Sequence, residues 1–240
     1  EDEFTARGED CLSPGYHVLG EHQCGGAAEY VVLPAKGLAA MPDNVDYPEA
    51  AAPLLVTLTA WRMLIHRAAL RAGESVLVVG AGRLGQLIAR NLAAVAGQLT
   101  VVARYESQQA LLSAHQIAWI PESDIRQRAF EIVIEATGSA RGLAMACQAI
   151  RPRGTIVLKS TYTDTEGTKW PLQLSSLVVD EITLVGSRCG PMAAALDQLE
   201  KQRVDPTGLI AKRYFLHDAL AAFKHAAAPG ALKILFQMAP

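Results

Sequence analysis

A glycine-rich turn with the spacing G-x-G-x-x-G is the feature of this sequence best suited to bind a ligand. It comprises Gly80, Ala81, Gly82, Arg83, Leu84 and Gly85. In such a turn the first glycine permits a sharp bend, the second lets backbone amides approach a pyrophosphate, and the third lets the following helix pack closely on the preceding strand. The helix N-terminus adds a partial positive charge for the anion. The spacing predicts a dinucleotide site; the alternative is a turn without a ligand, since 19 of the 240 residues are glycine.

One strand is predicted directly before the glycine turn, and the residues at the end of the next strand along the chain decide which nicotinamide cofactor fits. An Asp or Glu there would accept hydrogen bonds from the ribose 2′-hydroxyl of NAD. Here the strand over 99–103 runs instead into Arg104 and Tyr105. A cation at this point suits the 2′-phosphate of NADP, and the tyrosine ring could stack near the adenine. Glu106 follows directly, and Arg104 is alternatively a solvated residue after the strand, so NADP is favoured and NAD is kept as the alternative.

Alternating strands and helices must hold this turn in place. A short apolar strand over 75–79 precedes it, of the kind buried on both faces in a parallel sheet, and a helix over 84–96 follows it. Further strands are predicted at 99–103, 118–120, 131–135, 155–159 and 182–185, with helices at 107–114 and 142–150. Repeated βαβ units of this length imply an α/β fold with a doubly wound parallel sheet of the Rossmann type.

The two ends of the chain lack this regular alternation. Before the sheet we expect a strand at 28–33, a helix from Asp46 to about residue 69, and a turn at 71–74. After it we expect a helix at 193–202, a strand at 209–215, a helix at 218–227 and a strand at 232–238.

Composition narrows the classes of protein. Half of the residues are hydrophobic and 19% are charged, which predicts a packed core, and a net charge of −2 argues against nucleic-acid binding. The longest strongly apolar stretch, 50–61, contains a proline and is too short to span a membrane.

The four cysteines are Cys11, Cys24, Cys147 and Cys189. They form no C-x-x-C pair, and the chain opens without a secretory signal, so we expect reduced thiols in a cytoplasmic protein. Because the chain opens without Met, we also expect an N-terminal part of a longer product to precede it.

An ordered series of short segments resembles a known family. The segments are Gly-Gly-Ala-Ala-Glu-Tyr-Val-Val-Leu-Pro at 25–34, Leu-Thr-Ala-Trp at 58–61, Gly-Glu-Ser-Val-Leu-Val-Val-Gly at 73–80, Glu-Ala-Thr-Gly at 135–138, Arg-Pro-Arg-Gly at 151–154 and Val-Gly-Ser-Arg-Cys-Gly at 185–190. The series resembles the medium-chain dehydrogenase/reductase superfamily, in particular its zinc-type alcohol and polyol dehydrogenase branch with threonine-dehydrogenase-like members. The likeness covers nearly the whole chain and is more specific than any single motif.

The resemblance implies a domain arrangement and a set of cofactor contacts. A Rossmann dinucleotide-binding domain is expected at 56–205. A partial, β-rich GroES-like catalytic domain is expected at 1–55, and 206–240 return to it. Besides the glycine turn, the implied cofactor-binding residues are Arg104, Tyr105, Thr137, Gly138, Leu158, Lys159, Ser160, Ser187 and Arg188. Lys159 and Arg188 are alternatively plain surface cations.

The zinc ligands that the resemblance implies are missing from their expected places. The pair Glu21-His22 lies just before the 25–34 segment rather than at a ligand position, and 50–58 contain no Cys, His, Asp or Glu. Cys11 stands where the last cysteine of a structural zinc lobe would lie, without the others, and Cys24 is read as an ordinary thiol. A catalytic Zn²⁺ needs three protein donors and an open position, so we expect no metal in this chain.

Two functions of different classes follow. The first is an oxidoreductase that transfers a hydride between NADP(H), or NAD(H), and a small alcohol, carbonyl or enone substrate. The alternative is a catalytically impaired, zinc-less dinucleotide-binding protein that acts as a sensor or partner module. Tyr30, Thr57 and Thr59 are conceivable cleft residues, but the sequence identifies no catalytic residue. Family relatives suggest a homodimer through the edge strand over 182–185.

Overall fold

The computed structural model of the chain describes residues 2–7, 9–51, 70–71, 73–93, 95–162, 170–172, 174–188, 192–203, 205 and 208–238. The chain divides into two compact units. The terminal unit is Glu1–Leu58 with Cys189–Pro240, and the central unit is Thr59–Arg188. In the described part of the chain, no helix combines the length and apolar character that crossing a membrane requires.

The described elements alternate regularly only in the central unit. The helices are α1 (Glu3–Ala6), α2 (Tyr47–Ala51), α3 (Arg83–Leu92), α4 (Glu106–Ala114), α5 (Ala140–Ala149), α6 (Leu174–Val179), α7 (Met192–Glu200) and α8 (Ala219–Ala226). The strands are β1 (Ser75–Val79), β2 (Gln98–Val102), β3 (Ala118–Ile120), β4 (Phe130–Glu135), β5 (Ile150–Leu158), β6 (Thr183–Gly186), β7 (Ile210–Phe215) and β8 (Lys233–Gln237).

The central unit contains a parallel sheet in the order β3-β2-β1-β4-β5-β6. Strand β1 lies in the interior of this sheet, where its apolar residues Val76 to Val79 are fully buried. The strand order reverses between β1 and β4, because the chain first builds outward through β2 and β3 and then crosses to the other side. This is the doubly wound α/β fold that the sequence predicts, and its switch point lies between β1 and β4.

Both faces of the sheet are covered by helices. On one face Val76 and Val78 pack with Ile88 of α3 and Leu112 of α4. On the other face Leu77 and Val79 pack with residues of α5, among them Ala146. Successive strand residues thus serve alternate cores, which explains why β1 is apolar throughout rather than alternating.

Most predicted element bounds in the sheet agree with the structure to within two residues. Helix α3 differs, since it ends at Leu92 rather than at residue 96. The amides of Val95 and Ala96 both donate to the Leu92 carbonyl, at 2.9 and 2.8 Å, so the chain turns there. A Cβ on Gly97 would lie 2.4 Å from the Gly73 Cα, which shows how closely the chain passes the turn before β1.

Strand β5 begins earlier than the predicted strand at 155–159. Its first residue, Ile150, pairs with Phe130 of β4, and the pairing then shifts before Thr155 resumes opposite Ile132. Arg153 has a φ of +61° within this irregular stretch. A proline, a glycine and two arginines at 151–154 hide the start of the strand from a pattern search, because only the pairing of Ile150 with Phe130 reveals that the strand begins before them.

The predicted strand at 28–33 is wrong. These residues form neither strand nor helix, and the side chains of Tyr30 and Val32 are 90% and 98% exposed. An extended segment becomes a strand only where a neighbour satisfies its backbone groups, and no strand among the described residues pairs with it. The predicted helix at 46–69 begins as α2, while 52–69 lie outside the described residues.

In the terminal unit, β7 and β8 form a parallel pair connected through α8. Phe223 of α8 packs edge-on against Phe236 of β8, with ring centroids 5.9 Å apart. At the other end of the sequence, Asp2 caps α1, and the Ser13 hydroxyl donates to its carboxylate at 2.6 Å. This hydrogen bond is the main reason why the pKa of Asp2 is lowered to about 2.

Candidate functional site

The carboxyl ends of β1 and β4 meet at the glycine turn. Gly80 follows β1 with a φ of +104°, a left-handed conformation that favours glycine. A Cβ at this position would lie only 2.6 Å from the Thr137 Cγ2, on the turn after β4. The Ala136 amide donates to the Val79 carbonyl at 3.0 Å and keeps the two strand ends in register. Gly80 is thus required both by its backbone conformation and by the close approach of Thr137.

The other two glycines of the motif differ in what surrounds them. A Cβ on Gly85 would lie 1.8 Å from the Gly80 carbonyl oxygen, so α3 packs directly on the turn. Gly82 is the N-cap of α3, and a Cβ there would meet nothing within 4 Å. The first turn of α3 therefore presents its backbone amides beside open space, which is what an anion at a helix N-terminus needs.

Arg104 and Tyr105 follow β2 on one side of the glycine turn. The Arg104 side chain is exposed, and its guanidinium carbon lies 5.6 Å from the centroid of the Tyr105 ring. Among the described residues no carboxylate forms an ion pair with it, and Glu106 instead begins α4, where its charge favours the helix dipole. This arrangement leaves a cation available to a phosphate.

On the other side, a buried carboxylate organises the turn after β4. Glu135 ends that strand with no exposed surface. It accepts hydrogen bonds from the Thr137 amide at 2.7 Å, from the Gly138 amide at 3.1 Å and from the Thr137 hydroxyl. The Tyr162 hydroxyl, from the segment after β5, donates to the same carboxylate.

The sequence predictions did not identify Glu135 or Tyr162 as site residues. Glu135 stood in the resemblance only as part of the segment at 135–138. A signal was nevertheless available, since an acidic residue that closes a run of buried apolar strand residues must find donors near the strand end. No comparable signal marks Tyr162, because its partner is remote in the sequence.

The remaining predicted site residues lie at the ends of β5 and β6. The Ser187 amide donates to the Leu158 carbonyl at 3.0 Å, which continues the ladder beyond β6. The Lys159 ammonium donates to the carbonyl oxygens of Ser187 and Arg188 at 2.8 and 3.1 Å. Ser160 lies against Gly138, whose Cβ would come 3.0 Å from the serine Cβ. The structure thus brings the predicted residues to one edge of the sheet, and it shows Lys159 joining two strand ends.

The residues at this edge fit a nicotinamide dinucleotide. The open space at Gly82, together with the sharp turn at Gly80, provides room for a pyrophosphate at the start of α3. A cation lies at the end of β2 for the adenosine side, and the turns after β4 and β5 lie on the opposite side. The fit rests on the cradle formed by Gly80, Gly82 and Gly85 and on its place at the switch point between β1 and β4.

A zinc ion does not fit the described residues in the same way. No group of three or more His, Cys, Asp or Glu in the described ranges could hold a metal ion. The His22 ring belongs to a turn, where its Nδ1 accepts from the Val18 amide at 3.0 Å, and Cys24 is exposed. Of the conceivable cleft residues, Tyr30 is exposed, and Thr57 and Thr59 lie outside the described residues.

Comparison with known proteins places this geometry among dehydrogenases. The chain is 30% identical over 210 residues to an uncharacterized zinc-type alcohol dehydrogenase-like protein of Haemophilus influenzae, covering 81% of this chain and 59% of that protein. It spans between 52% and 63% of the length of the first three curated relatives it matches. No family model matches the chain.

Solved structures agree with the fold. An NAD-dependent alcohol dehydrogenase is 25% identical and superposes with a TM-score of 0.85 over 99% of this chain and 72% of its own. A zinc-binding dehydrogenase from Sinorhizobium meliloti 1021 with NADP bound is 21% identical, with a TM-score of 0.86 over 98% of this chain and 72% of its own. The second likeness concerns the fold alone.

Proposed function

The chain belongs to the medium-chain dehydrogenase/reductase superfamily, with relatives among its zinc-type alcohol and polyol dehydrogenases, and from this premise we propose that it is an NAD(P)-dependent oxidoreductase. In this proposal it transfers a hydride between the nicotinamide cofactor and a small alcohol, carbonyl or enone substrate. The observation that carries the proposal is the cradle formed by Gly80, Gly82 and Gly85 at the switch point between β1 and β4.

Three parts of the sheet edge would hold the cofactor. The amides at the start of α3 would receive the pyrophosphate, and Arg104 with Tyr105 would receive the adenosine end. Thr137, Gly138 and the residues after β5 would border the nicotinamide half. The bound nicotinamide supplies the hydride chemistry, while the protein binds and orients it.

We propose NADP(H) as the preferred cofactor and NAD(H) as the alternative. The exposed guanidinium of Arg104 at the end of β2 supports NADP, because a phosphate gains charge-assisted hydrogen bonds from arginine. A carboxylate for the ribose 2′-hydroxyl would have indicated NAD, and Arg104 and Tyr105 follow the strand instead.

Zinc enters no part of this proposal, since the described residues do not fit it. We further propose that 1–55 and 206–240 belong to a partial GroES-like catalytic domain and 56–205 to the nucleotide-binding domain. The thiols of Cys24 and Cys147 form no disulfide among the described residues, which supports a reducing, cytoplasmic location. A homodimer through the edge strand β6 completes the proposal.

Cofactor binding and turnover test the proposal in one series. The 240-residue chain is titrated with NADPH and NADH, and oxidation or reduction of the nicotinamide is then followed spectroscopically against alcohols, aldehydes, quinones and enones, with and without added Zn²⁺. Binding together with turnover on one class supports the oxidoreductase. Binding without turnover on any class would instead favour the sensor or partner module, and failure to bind either nucleotide would exclude both functions.

A further inference from the structure

The sheet order determines which half of a dinucleotide lies over which strands. Arg104 follows β2, and the glycine turn follows β1. A dinucleotide with its pyrophosphate at the turn and its adenosine toward β2 must extend its other half toward β4 and β5, across the switch point. The turns after β4 and β5 therefore border the half that carries the nicotinamide.

These two turns converge on the buried carboxylate of Glu135. On the β4 side, its oxygens accept hydrogen bonds from the amides of Thr137 and Gly138 and from the Thr137 hydroxyl. From the β5 side it receives the Tyr162 hydroxyl. A carboxylate without exposed surface is stable only when donors satisfy it, so each donor is held where the carboxylate requires it.

Tyr162 is itself held in a defined orientation. Its ring meets the Trp170 ring edge-on, with centroids 5.1 Å apart. Burial, reinforced by the hydrogen bond to Glu135, raises the pKa of the Tyr162 phenol above its ordinary value of 10.0. The phenol therefore stays protonated at neutral pH and remains a donor to the carboxylate.

The packing around Glu135 leaves little room for these turns to move independently. A Cβ on Gly138 would come within 2.9 Å of the Thr161 carbonyl oxygen, and a Cβ on Gly142 would come within 2.0 Å of the Thr137 hydroxyl oxygen. Thr137 in turn lies against Gly80 of the glycine turn. A displacement at the carboxylate is thus transmitted first to the turns after β4 and β5, which hold all four of its donors.

We infer that Glu135 and Tyr162 are positioning residues that hold the Thr137–Gly138 turn and the segment after β5 in the arrangement that binds the nicotinamide half of the cofactor. The inference rests on the proposed function, since it concerns the same cofactor. Neither residue is given a role in the hydride transfer. Both act through the backbone and side chains that they hold.

The test compares a whole cofactor with its adenosine half. The variants are Tyr162→Phe, which removes only the hydroxyl and keeps the ring against Trp170, and Glu135→Gln, which keeps an acceptor oxygen. Dissociation constants are measured for NADPH and for adenosine 2′,5′-bisphosphate, and in parallel for NADH and ADP. Tyr214→Phe is the matched control, since it removes a tyrosine hydroxyl that lies 3.0 Å from the His225 Nδ1 in the terminal unit.

Tyr162→Phe and Glu135→Gln are expected to weaken the binding of NADPH or NADH by roughly 5- to 20-fold. This is less than the roughly 10- to 100-fold of a hydrogen bond lost from a charged group, because neither side chain is proposed to touch the cofactor. The adenosine halves should bind within about twofold of the wild type, because their contacts lie at the glycine turn and β2. The control variant should change neither. A merely structural role would weaken both ligands alike or neither.

Equal losses for the two ligands, no loss for either, or the same split in Tyr214→Phe would each overturn the inference. Should Glu135→Gln not fold, Tyr162→Phe decides alone. A wild-type chain that binds neither dinucleotide would refute the proposed function and the inference with it, which is distinguishable from a wild type that binds and variants that show no split.

Discussion

At the scale of single residues, Arg104 is the group on which the choice of cofactor depends. We expect Arg104→Ala to weaken the binding of NADPH by about 10- to 100-fold, the range of a charge-assisted hydrogen bond to phosphate. The affinity for NADH, which lacks that phosphate, should change by less than about twofold. The measurement is a fluorescence titration at low ionic strength, because salt screens an exposed cation.

Arg126→Ala provides the matched control for this change. Its guanidinium also lies 5.6 Å from an aromatic ring, that of Phe130, but at the amino end of β4. It should bind both nucleotides as the wild type does. Equal losses of NADPH and NADH affinity in Arg104→Ala would contradict a role for the 2′-phosphate and leave NAD as the cofactor to consider.

The glycine turn offers a second residue-scale prediction, because two of its glycines serve different purposes. Gly82→Ala meets no atom within 4 Å and keeps an extended backbone, so stability should change by less than about 1 kcal/mol. The added methyl lies at the start of α3, where a pyrophosphate would approach. Cofactor affinity should fall at least about tenfold, equivalent to about 1.4 kcal/mol.

Gly80→Ala should behave in the opposite way. Its φ of +104° and the Thr137 methyl 2.6 Å from an added Cβ predict a loss of about 2 kcal/mol or more in the free energy of unfolding. Chemical denaturation of both variants beside the nucleotide titration checks the pair. A Gly82→Ala protein that binds nucleotide normally would show that the cradle is not used.

At the scale of elements, Glu131 joins three strands at the edge opposite the glycine turn. Its carboxylate accepts from the Ser75 amide of β1 at 2.6 Å and from its hydroxyl at 3.0 Å, and Arg151 of β5 donates to it at 3.0 Å. The hydrogen bond from the Ser75 amide is the main reason why the pKa of Glu131 is lowered from 4.5. The carboxylate is therefore expected to stabilise the sheet in its ionised form.

Glu131→Gln tests this role through the pH dependence of stability. A group whose pKa is lowered in the folded state stabilises it above the unfolded value, here near 4.5, and loses that contribution as pH falls through the folded value. At pH 7 the variant should lose about 1–2 kcal/mol in the free energy of unfolding, measured by urea denaturation. The difference from the wild type should shrink as the pH is lowered below the unfolded value.

The exposed pair of Glu181 and Arg153 is the control for this prediction. These side chains are 71% and 81% exposed, and the Arg153 Nε lies 3.3 Å from the Glu181 Oε2. Glu181→Gln should therefore lower the free energy of unfolding by no more than about 0.5 kcal/mol at any pH. A difference between Glu131→Gln and the wild type that did not depend on pH would show that the carboxylate charge contributes nothing.

At the scale of the whole molecule, the edge strand β6 raises the question of assembly. It borders β5 on one side, and its first residue, Thr183, is exposed. Thr183→Lys places a charge on this edge, a common device against edge-to-edge pairing. If β6 mediates the proposed dimer, light scattering after size exclusion should show a shift from dimer to monomer.

Ala118→Lys is the matched change on the opposite edge strand, β3, where Ala118 is also exposed. It should leave the oligomeric state unchanged. A wild type that is monomeric at every concentration tested, or a dimer that survives Thr183→Lys and dissociates with Ala118→Lys, would contradict the proposed role of β6.

Local sequence patterns alone determined the sheet and the glycine turn. The apolar run at 75–79, the spacing of Gly80, Gly82 and Gly85, and the alternation of strands and helices each depend on residues close together in the chain. Burial on both faces makes a central parallel strand apolar throughout, and a phosphate-binding turn needs glycines at a set spacing. These features can therefore be predicted without knowing which remote segment packs against them. The likeness of the ordered segments added the family.

Only the tertiary structure decided the features that need a remote partner. The segment at 28–33 has strand composition but no paired neighbour among the described residues, whereas β5 starts at Ile150 because Phe130 pairs with it. Glu135 and Tyr162 form one cluster although 27 positions separate them. Hydrogen-bond partners across strand ends are set by the order in which strands assemble, and spacing within one element carries no record of that order.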